Sequence, residues 1–348
     1  GACSRREQAS RFDSGQAVCY SVPTTEGYVE LRLRQDDLSR RQFVRLAVAV
    51  GLGSVLTSCG SEVSGPQNEV VVATPVPVGD HAYLSVARGA EPRAITRAAL
   101  AAVGGIERFV KSGADVIVKP NICVDYRSYE YGATTNPEVV ATVVELCLGA
   151  GAKRVRVMDT PFGGSPESAY ARSGIQEAVK AAGGQMEVMN QAKFRKTEIP
   201  EGRDISSWEV YQDSLAADVV ITVPVAKHHN LSRLSLGGKN LLGVITRPGQ
   251  MHVNLGQRTA DLATLVRPTL TVVDAVRTLM THGPTGGSLS DVRMTNTVIA
   301  SHDLVAADAY AATLFDLTGA RIPYVKAAAD MGLGTLDLES IEIEEIAV

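Results

Sequence analysis

From residue 81 onward the apolar positions follow two alternating rhythms. Ala82, Leu84 and Val86 recur at every second position, as in a strand with one buried face. Ile95, Ala98, Ala99 and Ala102 then recur at helical spacing and predict a helix over 92–103, which 106–110 continues or follows with a further turn. The same alternation predicts strands over 115–119, 155–158, 186–189, 218–223, 269–274, 297–300 and 341–346, the last at a sheet edge. Helices are predicted over 137–148, 174–182, 258–266, 304–317 and 323–331. Asn136 supplies an N-cap and Pro137 a first helical residue, while Gly149 and Gly151 stop that helix. Residues 197–211 are polar and fit a hairpin or an excursion, and 244–256 and the Gly-rich 281–287 read as loops. Strand followed by helix, repeated, predicts an α/β fold: a mostly parallel sheet covered by helices on both faces, compatible with two lobes around a cleft.

The first eighty residues break this rhythm. Residues 1–38 are polar without sustained periodicity and read as a disordered or upstream segment outside the fold. Residues 39–59 read as a targeting signal. Ser-Arg-Arg-Gln-Phe at 39–43 resembles a twin-arginine export signal, the apolar run 46–56 has the length of a signal core, and Leu-Thr-Ser-Cys at 56–59 resembles a lipoprotein box ending at Cys59. Residues 60–80, rich in Pro, Gly and Val, read as a tether to the domain at 81–348. The expected partners are the export machinery and, through a lipidated Cys59, the membrane; the expected location is its outer side. Replacing Arg40 and Arg41 by lysine should then abolish export, which cell fractionation would show; unchanged export would exclude the twin-arginine route.

Composition narrows the classes further. Of the 348 residues, 45% are hydrophobic and 21% charged, as in ordinary globular proteins, and aromatics at 5% leave Ala, Val and Gly to build the core. A net charge of −4, without a basic stripe, argues against a nucleic-acid partner. Cys3, Cys19, Cys59, Cys123 and Cys147 are scattered, with no disulfide framework, zinc spacing or Cys-x-x-Cys; an iron–sulfur cluster is therefore not supported.

Candidate chemistry gathers at the predicted strand ends, where open α/β sheets place ligands. These ends carry Lys119 and Asn121, Asp159, then Lys227, His228 and His229, with Asp274 and Asp303 further on. Behind the histidines stand Gly237 and Gly238, then Lys239 and Asn240; His252 and His282 lie in later loops. Imidazoles that converge there could hold a transition metal or move protons, and lysines would hold an anion. Blander readings stand beside these. Asp159 and Asp303 could cap helices, Gly-Gly could be a plain turn, and His81 and His302 read as bystanders.

From about residue 82 onward the chain resembles the domain-of-unknown-function 362 family. The resemblance rests on V-I-V-K-P-N at 116–121, G-A-T-T-N-P-E-V-V at 132–140, G-A-K-R-V-R-V-M-D at 151–159, K-H-H-N with K-N-L-L-G between 227 and 243, and D-L-V-A-A-D-A at 303–309. It implies no particular reaction. The segment 229–243 also resembles the site segment of the nickel-pincer lactate racemases: His229 stands ten residues before Lys239, Gly237-Gly238 sit directly before it, and His252 lies thirteen after. Asn240 after the lysine, the inexact spacing to His252 and the lack of an arginine-bearing substrate motif depart from that pattern. The resemblance implies a nickel-containing cofactor anchored at Lys239.

Two function classes follow. In an enzyme with a metal or cofactor, His229, Lys239 and Lys227 are the catalytic candidates, and His229, His252 and His228 the metal ligands. Lys239, Asn240, Gly237, Gly238, Lys119, Asn121 and Asp159 would then bind cofactor or a small anionic substrate. In a non-catalytic lipoprotein the lysines capture a small anion and the histidines are dispensable.

Overall fold

The computed structural model describes residues 18–24, 27–33 and 81–348. The targeting signal and tether expected over 39–80 lie outside the described residues. The chain divides into two units, 1–70 and 71–348. In the first, strands β1 (Val18–Thr24) and β2 (Gly27–Leu33) pair antiparallel, Val18 opposite Leu33. Residues 18–24 and 27–33 thus carry strand structure within the segment read as disordered or upstream. Apolar residues at every second position, Val18, Tyr20 and Val22, then Val29, Leu31 and Leu33, are the strand pattern that the polar average concealed.

The second unit is built on one ten-stranded sheet, so the two-lobed arrangement is not adopted. Its strands are β3 (Leu84–Arg88), β4 (Asp115–Pro120), β5 (Arg154–Val157), β6 (Gln185–Met186), β9 (Val219–Val223), β10 (Val225–His229), β11 (Arg233–Ser235), β12 (Leu270–Leu279), β13 (Val292–Ser301) and β14 (Ile343–Ala347). The order is β14-β3-β13-β12-β9-β4-β5-β6, with β10 on β12 and β11 beyond it. Pairs β14–β3, β12–β9, β9–β4, β4–β5, β5–β6 and β10–β12 are parallel; β3–β13, β13–β12 and β10–β11 are antiparallel. A separate hairpin, β7 (Phe194–Glu198) with β8 (Ser207–Tyr211), occupies the segment that fitted a hairpin or an excursion.

Both sheet faces are covered, and neighbouring residues show it. Val116 and Val118 face one core with Ile95, Val139 and Val143 of the helices Pro92–Ala102 and Pro137–Gly149. Ile117, between them, faces another core with Leu241 and Leu262. Every residue of β9 is buried, which is why central parallel strands read as unbroken apolar runs. The Asn136 side chain caps the helix Pro137–Gly149 through Glu138 N, and Asp303 caps Leu304–Thr313 through Val305 N and Ala306 N.

Two departures shape the site. Pro224 ends β9, but the chain resumes as β10 after one residue. Lacking an N–H, Pro224 interrupts the ladder while its carbonyl still accepts from Asp274 N at 2.8 Å, so β9 and β10 run in series along β12. Lys227, His228 and His229 therefore stand on a strand, not in a loop. Asp274 likewise lies mid-strand in β12, beside a register shift, and its carboxylate accepts from Asn136 N and Val276 N. The helix Pro166–Ser173, capped by Ser165, was not anticipated, and the 174–182 helix is Ile175–Ala181.

Candidate active site

A cleft of about 440 Å³ opens past the carboxyl ends of β4, β5 and β9. Lys119, Asn121, Asp159 and Lys227 line it, and so do His229, Lys239, Asn240 and His252. Eight of the residues singled out in the sequence thus meet in one place: Lys119, Asn121 and Asp159 because parallel strands bring their carboxyl ends to one edge, and the others from β10 and the segments that follow it.

Most of these groups hold each other. Lys119 and Asp159 are buried, and Lys119 Nζ lies 2.8 Å from Asp159 Oδ1. Lys119 Nζ also donates to Pro120 O and Asn240 Oδ1, and Asp159 Oδ2 accepts from Ile122 N at 2.6 Å. Burial pushes the lysine down and the carboxyl up; each opposes the shift in the other. Asn240 Oδ1 accepts from Lys119 Nζ and Asn121 Nδ2, while its Nδ2 donates to Lys119 O and Thr222 Oγ1. All four of its hydrogen-bonding positions are used. Asn121 Oδ1 then accepts from Lys227 Nζ, which also donates to Ala133 O. The chain Asp159–Lys119–Asn240–Asn121 is scaffolding that fixes Lys227 and leaves one ammonium donor for the cleft.

Lys239 differs. It is partly exposed in the cleft, and no described residue gives Nζ a hydrogen bond or ion pair. Burial first, then the Lys227 and Lys119 charges, push it down to about 8; proximity to Cys123 opposes this. Lys239 sits in the four-residue helix Gly237–Asn240. Gly237 N and Gly238 N donate to Asp308 Oδ1 and Oδ2 at 2.6 and 2.8 Å, so these amides are committed and offer nothing to a ligand. The glycines are required for space: a Cβ on Gly237 would lie 2.6 Å from Leu304 Cδ1, and one on Gly238 3.0 Å from Tyr324 Cδ2. Packing against Leu304 and Tyr324 thus accounts for both glycines, which the sequence offered as cofactor contacts.

Asp308 was missed, although a carboxylate within an alanine-rich helix is the sequence signature of a buried polar anchor. Burial raises it to about 7. Asn at this position accepts from one amide and presents an NH₂ to the other, so Asp308→Asn should cost about 1–3 kcal/mol. The unfolded chain loses the Asp308 proton first, so this residue's contribution to wild-type stability falls between about pH 4 and 7. The deficit of the variant, read from urea midpoints, should be larger near pH 5 than near pH 8.

His229 is buried on β10, and its Nδ1 accepts from Leu231 N and Ser232 N. His252 is exposed, with its ring centroid 6.4 Å from that of His229. Burial and Lys239 hold both below the usual imidazole range, His229 at about 3. His228 does not line this cleft. Strand alternation turns it away, its Nδ1 accepts from Gly283 N, and it borders an open groove with Arg233 and Phe315. His302 packs on Tyr83, and His282 pairs with Asp291. Among the described residues no group of three His, Cys, Asp or Glu side chains could hold a metal ion. Three lysines with one carboxylate between them also make the cleft unfavourable for a bare cation. The residues present thus do not fit the expected metal site of His229, His252 and His228.

Cys123 lines the cleft as a free thiol, its Sγ 3.7 Å from Pro284 O. Phe162, at the mouth, is 76% exposed, and Ile122, Leu242 and Pro248 make much of the wall apolar.

A thylakoid-associated protein of Synechocystis sp. is 30% identical over 249 residues, 68% of this chain and 74% of that protein. The lactate racemase apoprotein of Thermoanaerobacterium thermosaccharolyticum is similar at a TM-score of 0.41 with 10% identity, over 82% of this chain and 60% of that one. A Thermotoga maritima protein gives a TM-score of 0.32 with 12% identity, over 52% of this chain and 49% of that one. At such scores the structural likenesses decide nothing about cofactor or substrate. The family described as Domain of unknown function (DUF362) matches residues 116–313, which hold every strand and loop that builds the cleft, and the chain belongs to that family.

Proposed function

We propose that the cleft binds a small organic anion, a carboxylate or phosphate compound, and is the reaction site of an enzyme in which Lys239 is the reactive amine. The observation that carries this reading is the contrast between the lysines. Lys119 is consumed by Asp159, Pro120 O and Asn240, whereas Lys239 lines the same cleft without a partner among the described residues. An ammonium left unpaired in a largely apolar pocket is completed by an anionic ligand. An amine held near 8 is also within reach of its neutral, nucleophilic form at physiological pH. Lys227, fixed by Asn121 and Ala133, supplies the second positive contact.

The non-catalytic alternative, an anion-capturing protein, uses the same lysines. It differs in needing no reactive amine: trimethylation of Lys239, which keeps the positive charge but removes the nitrogen lone pair, would leave electrostatic capture in place but stop a reaction through that nitrogen. Calorimetric titration with inorganic phosphate and with small mono- and dicarboxylates is the direct test. Binding that competes among these anions supports the reading; failure of all of them to bind overturns it.

On this reading the cleft works outside the cytoplasmic membrane, as the Arg40-Arg41 and Cys59 patterns suggest. A relative named for thylakoid association is in keeping with a protein held at a membrane. No helix among the described residues is long and apolar enough to cross one.

A further inference from the structure

Two main-chain amides decide what the His229 ring presents to the cleft. Leu231 N and Ser232 N lie 3.1 and 3.4 Å from His229 Nδ1. An amide N–H can only donate, so Nδ1 carries the lone pair, and in the neutral ring the proton sits on Nε2. The turn supplying these amides is itself fixed. His229 pairs with Arg233 across β10 and β11, Arg233 takes a left-handed φ of 67°, and the Ser232 hydroxyl donates to Leu234 O at 2.7 Å. A proton on Nδ1 would face two amide hydrogens. A charged ring would in addition be buried beside Lys239 and Lys227.

We propose that His229 serves the cleft as a neutral hydrogen-bond donor through Nε2–H, and that the ligand is an anion offering a carbonyl or phosphoryl oxygen to it while Lys239 and Lys227 hold the negative charge. The inference rests on the anion-binding reading and adds a second requirement to the ligand. It removes His229 from two roles expected of it. A protonated Nε2 has no lone pair for a metal ion, whose imidazole ligands donate through the opposite nitrogen. Nor can it take a proton from a substrate. Its contribution is electrostatic: a fixed donor where negative charge resides or develops on oxygen.

The first measurement is long-range proton–nitrogen NMR of the histidine rings at neutral pH on the full chain, with His229 assigned by its loss in H229Q. The expected result is a lone-pair nitrogen at Nδ1, a protonated nitrogen at Nε2, and signals unchanged by equimolar nickel(II). The reverse tautomer, a doubly protonated ring, or nickel-induced loss of the His229 signals overturns the proposal. The second is titration with inorganic phosphate. His229→Ala should weaken binding about tenfold or more, and His229→Gln, whose amide N–H can stand in for Nε2–H, should recover most of it. Equal binding by H229A and wild type overturns the donor role. Absence of any anion binding by wild type would instead defeat the cleft reading itself, whatever tautomer NMR shows.

Discussion

Replacing Lys119 by methionine is expected to destabilise the fold by about 3–5 kcal/mol, the typical cost of leaving one partner of a buried ion pair alone. Lys119 and Asp159 are each 2% exposed at the side chain, so water cannot take the place of the lost ammonium. The variant should melt far below wild type, or be recovered only in the insoluble fraction. The double change Lys119→Met with Asp159→Leu decides the cause. If the unpaired carboxylate is the main cost, the second substitution restores part of the stability, although Ile122 N and Asn240 Oδ1 lose partners. A double variant less stable than Lys119→Met alone would show that the pair matters as a hydrogen-bonding hub rather than as a charge pair. Gly243 gives an independent check. A Cβ there would overlap Asp159 Oδ1 and lie 2.6 Å from Lys119 Cε. Gly243→Ala should therefore weaken the same pair without removing either charge.

Much of this arrangement was legible because it follows from strand ends. Lys119, Asn121 and Asp159 were readable as one cluster once the segments before them were recognised as parallel strands, since topology gathers such ends, whereas Lys239 reaches the same cleft from the helix that follows the antiparallel strand β11. Roles were less legible than positions. Asn240 and Lys119 looked like ligand contacts, yet they spend their hydrogen bonds on each other, a fact that depends on contacts across 121 residues of sequence. Gly237 and Gly238 suggested a backbone approaching a ligand; what approaches is Asp308, seventy positions away. His228 and His229 are neighbours in sequence but opposite in direction, because Pro224 interrupts the strand without ending the sheet. That continuation past a proline is the feature local propensity misjudges most, since the pairing partner β12 lies some fifty residues downstream.

Replacing Lys239 by methionine should make the protein more stable and nearly unable to bind anions. Methionine keeps the length and packing of the lysine stem and removes its charge. Burial and two neighbouring lysines lower the Lys239 amine from 10.5 to about 8, so the folded state gives up this proton sooner than the unfolded chain does. The penalty is fully present below about pH 8 and fades as pH rises toward 10.5. Removing it should stabilise the fold at pH 7 by about 1–3 kcal/mol, nearer the low end because the side chain is partly exposed to solvent. The gain should shrink between about pH 8 and 10. Phosphate, in contrast, should stabilise wild type by mass action and have little effect on the variant. Its affinity for wild type should fall as pH rises through about 8, where the ammonium is lost; in titrations at neutral pH the variant should bind about tenfold or more weaker. A Lys239→Met protein that is less stable than wild type, or that binds phosphate as well, would mean that another group already neutralises this lysine. A rise in stability coupled to loss of binding is the signature of a charge maintained for a ligand, because no described residue recovers its cost.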